Sequence, residues 1–140
     1  MRIPNFKVGW LLEKQVAALT HFHSDITDED IQGVTQKTVC LLQEMETPFH
    51  ILIDNRLVHL HKIYSLVELQ NSSPIFLHPC LSYVVMVKPN HLSLSNDKML
   101  TEQCNNVHLK NVPGILEAFE FLNQIIPDFY KIVIQSNFFP

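Results

Sequence analysis

Glycine is scarce in this chain of 140 residues, with 3 against 8 prolines, and no low-complexity run accompanies it. Collagen-like, linker-like and glycine-rich phosphate-loop architectures are therefore excluded at the outset. Cysteine is also sparse: Cys40, Cys80 and Cys104 are odd in number and far apart, with no Cys-x-x-Cys pair to hold zinc or run redox chemistry. Reduced thiols are expected, Cys40 behaving as a small hydrophobe within a helical pattern. Clustered positive charge is missing. Ten Lys and Arg stand singly against 14 Asp and Glu, a net charge of -4, which is a poor footprint for nucleic acid. No apolar run approaches the ~20 residues that span a bilayer, and Met1-Arg2-Ile3-Pro4-Asn5 does not lead into a signal core. A cytoplasmic protein without a transmembrane segment is expected.

What is present is core material. Hydrophobic residues make up 46% of the chain and charged residues 17%, and this length buries roughly two-thirds of its unfolded surface in one domain. Two β-prone runs, Phe6 to Leu12 and Gln15 to Phe22, flank Glu13-Lys14 and predict an opening hairpin. Asp25-Ile26-Thr27-Asp28-Glu29-Asp30 then reads as a helix start. Thr27 can accept from free amides, and the acids suit the positive end of the helix dipole. Ile31, Val34, Thr38, Leu41, Leu42 and Met45 recur at helical spacing and predict a long amphipathic helix through Glu44.

Pro48 ends that element, and Phe49 to Ile53 is a short, nearly continuous apolar run, as expected of a strand covered on both faces. A helix is predicted from His61 to about Leu69, a helical turn at Ile75 to His78, and a second buried strand over Leu81 to Val87. A third helix is predicted over Leu92 to Gln103, a last half-exposed strand over Asn106 to Val112, and a closing helix from Pro113 with apolar Ile115, Leu116, Phe119, Leu122 and Ile126. Alternating helices and strands imply an α/β domain of three-layer type, with a mixed, mostly parallel sheet of four to six strands. The domain is expected over 1–127. The segment 128–140 is too apolar for a loose terminus and is expected as an edge strand or an interface segment.

The runs Ile26-Thr27-Asp28-Glu29-Asp30-Ile31, Ile51-Leu52-Ile53-Asp54-Asn55-Arg56 and His78-Pro79 before Leu81-Ser82-Tyr83-Val84-Val85, in this element order, resemble the STAS-like domains of bacteria. These share the fold of anti-sigma factor antagonists and include STAS/SEC14-type proteins. The resemblance covers about Phe6 to Ile126. It implies a helix-flanked mixed sheet, and a non-catalytic regulatory protein that works through contacts with a partner or with itself. In phosphorylatable members the helix after the central strand opens with an Asp-Ser-Ser/Thr-Gly motif. This chain has Val58-His59-Leu60-His61-Lys62-Ile63-Tyr64-Ser65 there, so the phospho-switch does not carry over, and Ser65 is expected as a solvent-facing helix residue.

Three sites invite chemistry. Asp54-Asn55-Arg56 leaves the central strand where open α/β sheets gather ligands, so Asp54, Asn55 and Arg56, with His59 and His61 just beyond, are candidate ligand or partner contacts. The competing reading is that Asp54 caps the following turn and pairs with Arg56. His21-Phe22-His23-Ser24-Asp25 spells the start of the metallo-β-lactamase-type His-x-His-x-Asp motif, which makes His21, His23 and Asp25 candidate zinc ligands of a hydrolase. That family continues with a further histidine where this chain has Ile26. The alternative is an exposed polar strand face bearing His21 and His23. With 8 histidines in the chain, convergence of His21, His23, His59 and His61 on one metal is the third case. No nucleophile beside a base and no paired-acid signature stands out, so no catalytic residue and no cofactor is assigned. A carrier of a small apolar or lipid-like ligand is the alternative function, with a metal-dependent hydrolase behind it.

Overall fold

The computed structural model describes residues 3–133 and 137–140. Its core is a six-stranded sheet in the order β1-β2-β3-β4-β6-β5. β1 (Lys7–Leu12) runs antiparallel to β2 (Val16–Thr20). β2, β3 (Phe49–Asp54), β4 (Leu81–Val87) and β6 (Val107–Val112) are mutually parallel, and β5 (Glu102–Cys104) closes the far edge antiparallel to β6. The fold is α/β, as the alternation of elements implied.

Both hairpins are made by residues that enter the left-handed region: Lys14 at φ 61° between β1 and β2, and Asn105 at φ 58° between β5 and β6. Asparagine tolerates that conformation because its short amide bonds its own backbone.

The inner strands β2, β3 and β4 carry almost no polar alternation because both faces are covered. Val16, Ala18, Leu52, Val85, Val87 and Val112 point to one side, under α3 (Ile115–Ile125) and α4 (Phe129–Val133). Ala17, Leu19, Ile51, Ile53, Val84, Met86 and Leu109 point to the other, against α1 (Asp28–Leu42) and α2 (Leu66–Ser72). Three layers result, as expected.

Helix α1 begins at the predicted signal. Thr27 accepts from the Asp30 amide while the Asp30 carboxylate accepts from the Thr27 amide, a reciprocal cap. The helix ends at Leu42, short of Glu44, and its apolar stripe is shallow. Only Thr38 and Leu42 of that stripe are buried, and Cys40 lies within the helix, as expected, but is exposed.

Three expectations are corrected. The helix predicted from His61 starts at Leu66, because Ser65 caps it by accepting from the Glu68 amide, with the Glu68 carboxylate returning the bond. Ser65 is thus a cap, and not a helix-face residue. The predicted helix over Leu92 to Gln103 is a single 3-10 turn at Asp97–Met99 followed by β5. No side chain from 91 to 101 is buried, so nothing repays helix formation there, and Ser93, Ser95 and Asn96 compete for the backbone. The strand predicted over Asn106 to Val112 forms as β6, with Val107 and Leu109 buried and His108 and Lys110 part-exposed, and the unforeseen β5 takes the sheet edge beside it. The segment 128–140, expected as an edge strand or interface segment, opens with a helix and not a strand, α4 at Phe129–Val133, and Phe129, Val133 and Phe138 pack into the core. Residues 134–136 of that predicted strand lie outside the described residues.

Candidate functional site

The exits of the parallel strands are built around Asp54. It is buried at the end of β3, and the neighbouring strand supplies Thr20, whose hydroxyl donates to Asp54 Oδ2 at 2.6 Å. The Arg56 amide donates to Oδ1 at 3.1 Å. The guanidinium adds a fork, Nε to Oδ1 and Nη2 to Oδ2, both at 2.9 Å. Side-chain exposure is 3% for Asp54 and 28% for Arg56, so the carboxylate lies inside and the cation at the surface. The hydrogen bond to Asp54 raises the Arg56 pKa above its ordinary value, against the opposing effect of burial. Two-residue spacing lets the pair close on itself, as the competing reading of the sequence had it.

Arg56 reaches one group more. Nη2 also donates to the main-chain oxygen of Pro140 at 3.4 Å, so residue 140 lies over the β3 exit. Lys7 holds the same segment, with Nζ 3.4 Å from the Phe138 carbonyl and 4.2 Å above the Phe138 ring.

Asn55 faces the opposite way, onto a cleft of about 440 Å³ between α1 and α2. Ile53, Met86, Leu60 and Leu69 give it apolar walls, and Asn55, Tyr64 and Glu68 stand among its polar residues. A neighbouring hollow of about 340 Å³ shares Ile31, Thr35, Ile53 and Ser72 with it and runs on to Ile75 and Phe76. These volumes lie within the usual range for small-molecule sites. Glu68 is the charged residue of the cleft wall. Its pairing with Lys62, helped by the Ser65 amide, pulls its pKa down to about 2.

The histidines separate. His21 is buried and donates from Nδ1 to the Asn5 carbonyl at 2.7 Å. β2 ends at Thr20, so His21 and His23 do not share an exposed strand face. Asn5, 1% exposed, pins this whole turn. Its side chain accepts from the Phe22 and His23 amides and donates to the His23 and Asp25 carbonyls, while its own amide donates to Asp30. The His-x-His-x-Asp motif is therefore a tethered loop leading into α1. His59 lies against His91, ring centres 5.1 Å apart, and His61 Nδ1 lies 3.3 Å from the Tyr64 hydroxyl. Among the described residues, no three His, Cys, Asp or Glu side chains are placed to hold a metal ion.

The sequence missed Asn5, Thr20 and the tail contacts, all of which arise between residues distant in the chain. The Ser65-x-x-Glu68 capping signature was the one local signal available for the cleft wall. Comparisons with protein families, with characterised proteins and with solved structures return no match. Among the described residues, no helix is long and apolar enough to cross a membrane.

Proposed function

We propose that this chain is a non-catalytic binding domain of cytoplasmic, STAS-like type that acts through protein contacts, in a regulatory capacity. The observation that carries the reading is the occupant of the β3 exit. In an open parallel sheet this is the position where a ligand is received, and here it holds polypeptide, with Arg56 donating to the Pro140 main-chain oxygen. Asp54 and Arg56 are committed to one another, Arg56 also to that segment, and Asp54 is buried and fully engaged. Such a group serves geometry and recognition better than proton transfer.

The test is direct. Light scattering during size-exclusion chromatography reads self-association, and crosslinking in extracts of the native organism, wild type against Arg56→Ala, reads partner contact. A strict monomer with no Arg56-dependent crosslink would count against the proposal.

The carrier reading has its own observation, the apolar cleft beside Asn55. Native mass spectrometry of freshly purified protein tests it. A co-purifying small molecule released by Met86→Trp, which fills the cleft, would favour that reading over protein contact. The hydrolase reading has no comparable support, because His21 and His23 serve the Asn5 turn.

A further inference from the structure

We infer that the slot beside the β3 exit is a recognition site for an aromatic peptide segment of a protein partner, and that Phe138-Phe139-Pro140 is its resident occupant. The inference rests on the protein-contact reading and names the chemistry of the partner. Phe138 is 7% exposed and sits beside Gly9, where a Cβ would lie 3.5 Å from its ring. The absence of a side chain on Gly9 gives the ring a flat floor on β1. Lys7 covers the ring from above and donates to the Phe138 carbonyl, while Arg56 donates to the main-chain oxygen two residues on. Oxygens two residues apart point the same way along an extended chain. Two cations therefore read the backbone, and one pocket reads an aromatic side chain. Peptide-binding sites divide affinity and specificity in the same manner.

Three features make the occupant exchangeable. Both carbonyl contacts are 3.4 Å long, at the weak end for N–H···O bonds. Arg56 does not depend on the segment for its own position, since Asp54 fixes the guanidinium on the other side. Among the described residues Arg56 Nη1 makes no hydrogen bond, so the cation has donors to spare for a peptide that brings a carboxylate or a second carbonyl. The partner that fits carries an aromatic residue two positions before a carbonyl or acidic group and no cation between them. Binding requires the resident segment to leave.

A fluorescein-labelled Asn-Phe-Phe-Pro peptide is titrated by anisotropy into the full-length chain, with Asn-Ala-Ala-Pro as control. Wild type should bind it weakly, Phe138→Ala at least tenfold more tightly, and the double variant Phe138→Ala, Arg56→Ala should lose that gain. Circular dichroism establishes that each variant is folded. If Phe138→Ala does not fold, titration of wild type followed by nuclear magnetic resonance decides, with shifts expected at the Gly9 and Arg56 amides. Equal binding of the two peptides, or binding indifferent to Arg56, overturns the inference. So does a wild-type dimer built from reciprocal tails, which would make a second copy the occupant. Failure here with Arg56-dependent crosslinking retained would remove this slot and leave the broader reading standing.

Discussion

Removing the Asp54 carboxylate should be the most costly single change at the strand exit. Asp54→Ala takes the 2.6 Å acceptor from the buried Thr20 hydroxyl and leaves it the His21 carbonyl at 3.4 Å, a loss of about 1 kcal/mol. It also strands the guanidinium of Arg56. Breaking a fully buried ion pair costs about 3–5 kcal/mol, but Arg56 keeps 28% side-chain exposure and can turn toward water, which cuts that cost by half or more. The sum is about 3 kcal/mol, or roughly a 10 °C fall in Tm for a domain of this size. Arg56→Ala leaves the buried carboxylate with Thr20 and one amide and should cost about 2 kcal/mol. The double variant should cost about 3 kcal/mol, well short of the sum, because the second deletion removes a group already orphaned. Urea unfolding followed by circular dichroism measures all three. A cost below about 1 kcal/mol for Asp54→Ala, or strict additivity in the double variant, would refute the description of the pair as a mutually dependent buried unit.

His50 has no hydrogen-bond partner at Nδ1 among the described residues, and burial lowers its pKa from the usual 6.5. Native His50 therefore stays neutral at a pH where the unfolded chain has begun to take up the proton. Its contribution is intact above pH 6.5 and is lost as the pH falls through the lowered native value. His50→Gln should flatten that part of the stability profile between pH 7 and 5, measured by urea titration against wild type. Ser65→Ala should cost about 1 kcal/mol by uncapping α2, while Ser65→Asp should restore most of it, read from thermal melts. A Cβ on Gly33 would come within 2.6 Å of the Phe6 ring. Gly33→Ala should thus gain about 1 kcal/mol of helix propensity only in a Phe6→Ala background, where the obstruction is gone.

The legible parts of the fold were those whose signals are local. Thr27 and Asp30 announce the start of α1 three residues apart, and the apolar runs at Phe49 and Leu81 announce inner strands through their composition. The Asp54–Arg56 pairing was legible for the same reason, being two residues long. The segment 92–103 misled because its apolar spacing looks helical while its surroundings offer it nothing to bury against. His21 misled more completely. Its motif is local, but its fate is decided by Asn5, sixteen residues earlier, whose amide fits a turn that no neighbouring residue encodes. The tail likewise reads as a β-prone apolar stretch, and only the vacancy under α3, filled by Phe129 and Phe138, makes it core.

The β3 exit serves two surfaces because its side chains alternate: Arg56, held by Asp54, contacts the tail, and Asn55 lines the cleft. Whether the two surfaces communicate depends on the stiffness of the backbone between them. Asn55 donates its amide to the Val87 carbonyl at 3.1 Å, and the Arg56 carbonyl accepts from the Asn90 amide at 2.9 Å, so β4 and its following loop clamp the exit on both sides. A contact on the Asn55 side chain is then poorly coupled to the Arg56 guanidinium, since coupling needs an element with two arrangements. Asn55→Ala removes only the side chain and keeps both clamps. It should alter any small-molecule occupancy of the cleft while leaving stability within about 0.5 kcal/mol and peptide binding at Arg56 within twofold. A tenfold change in peptide binding would mean that the exit moves as a unit, and that the two surfaces form one site.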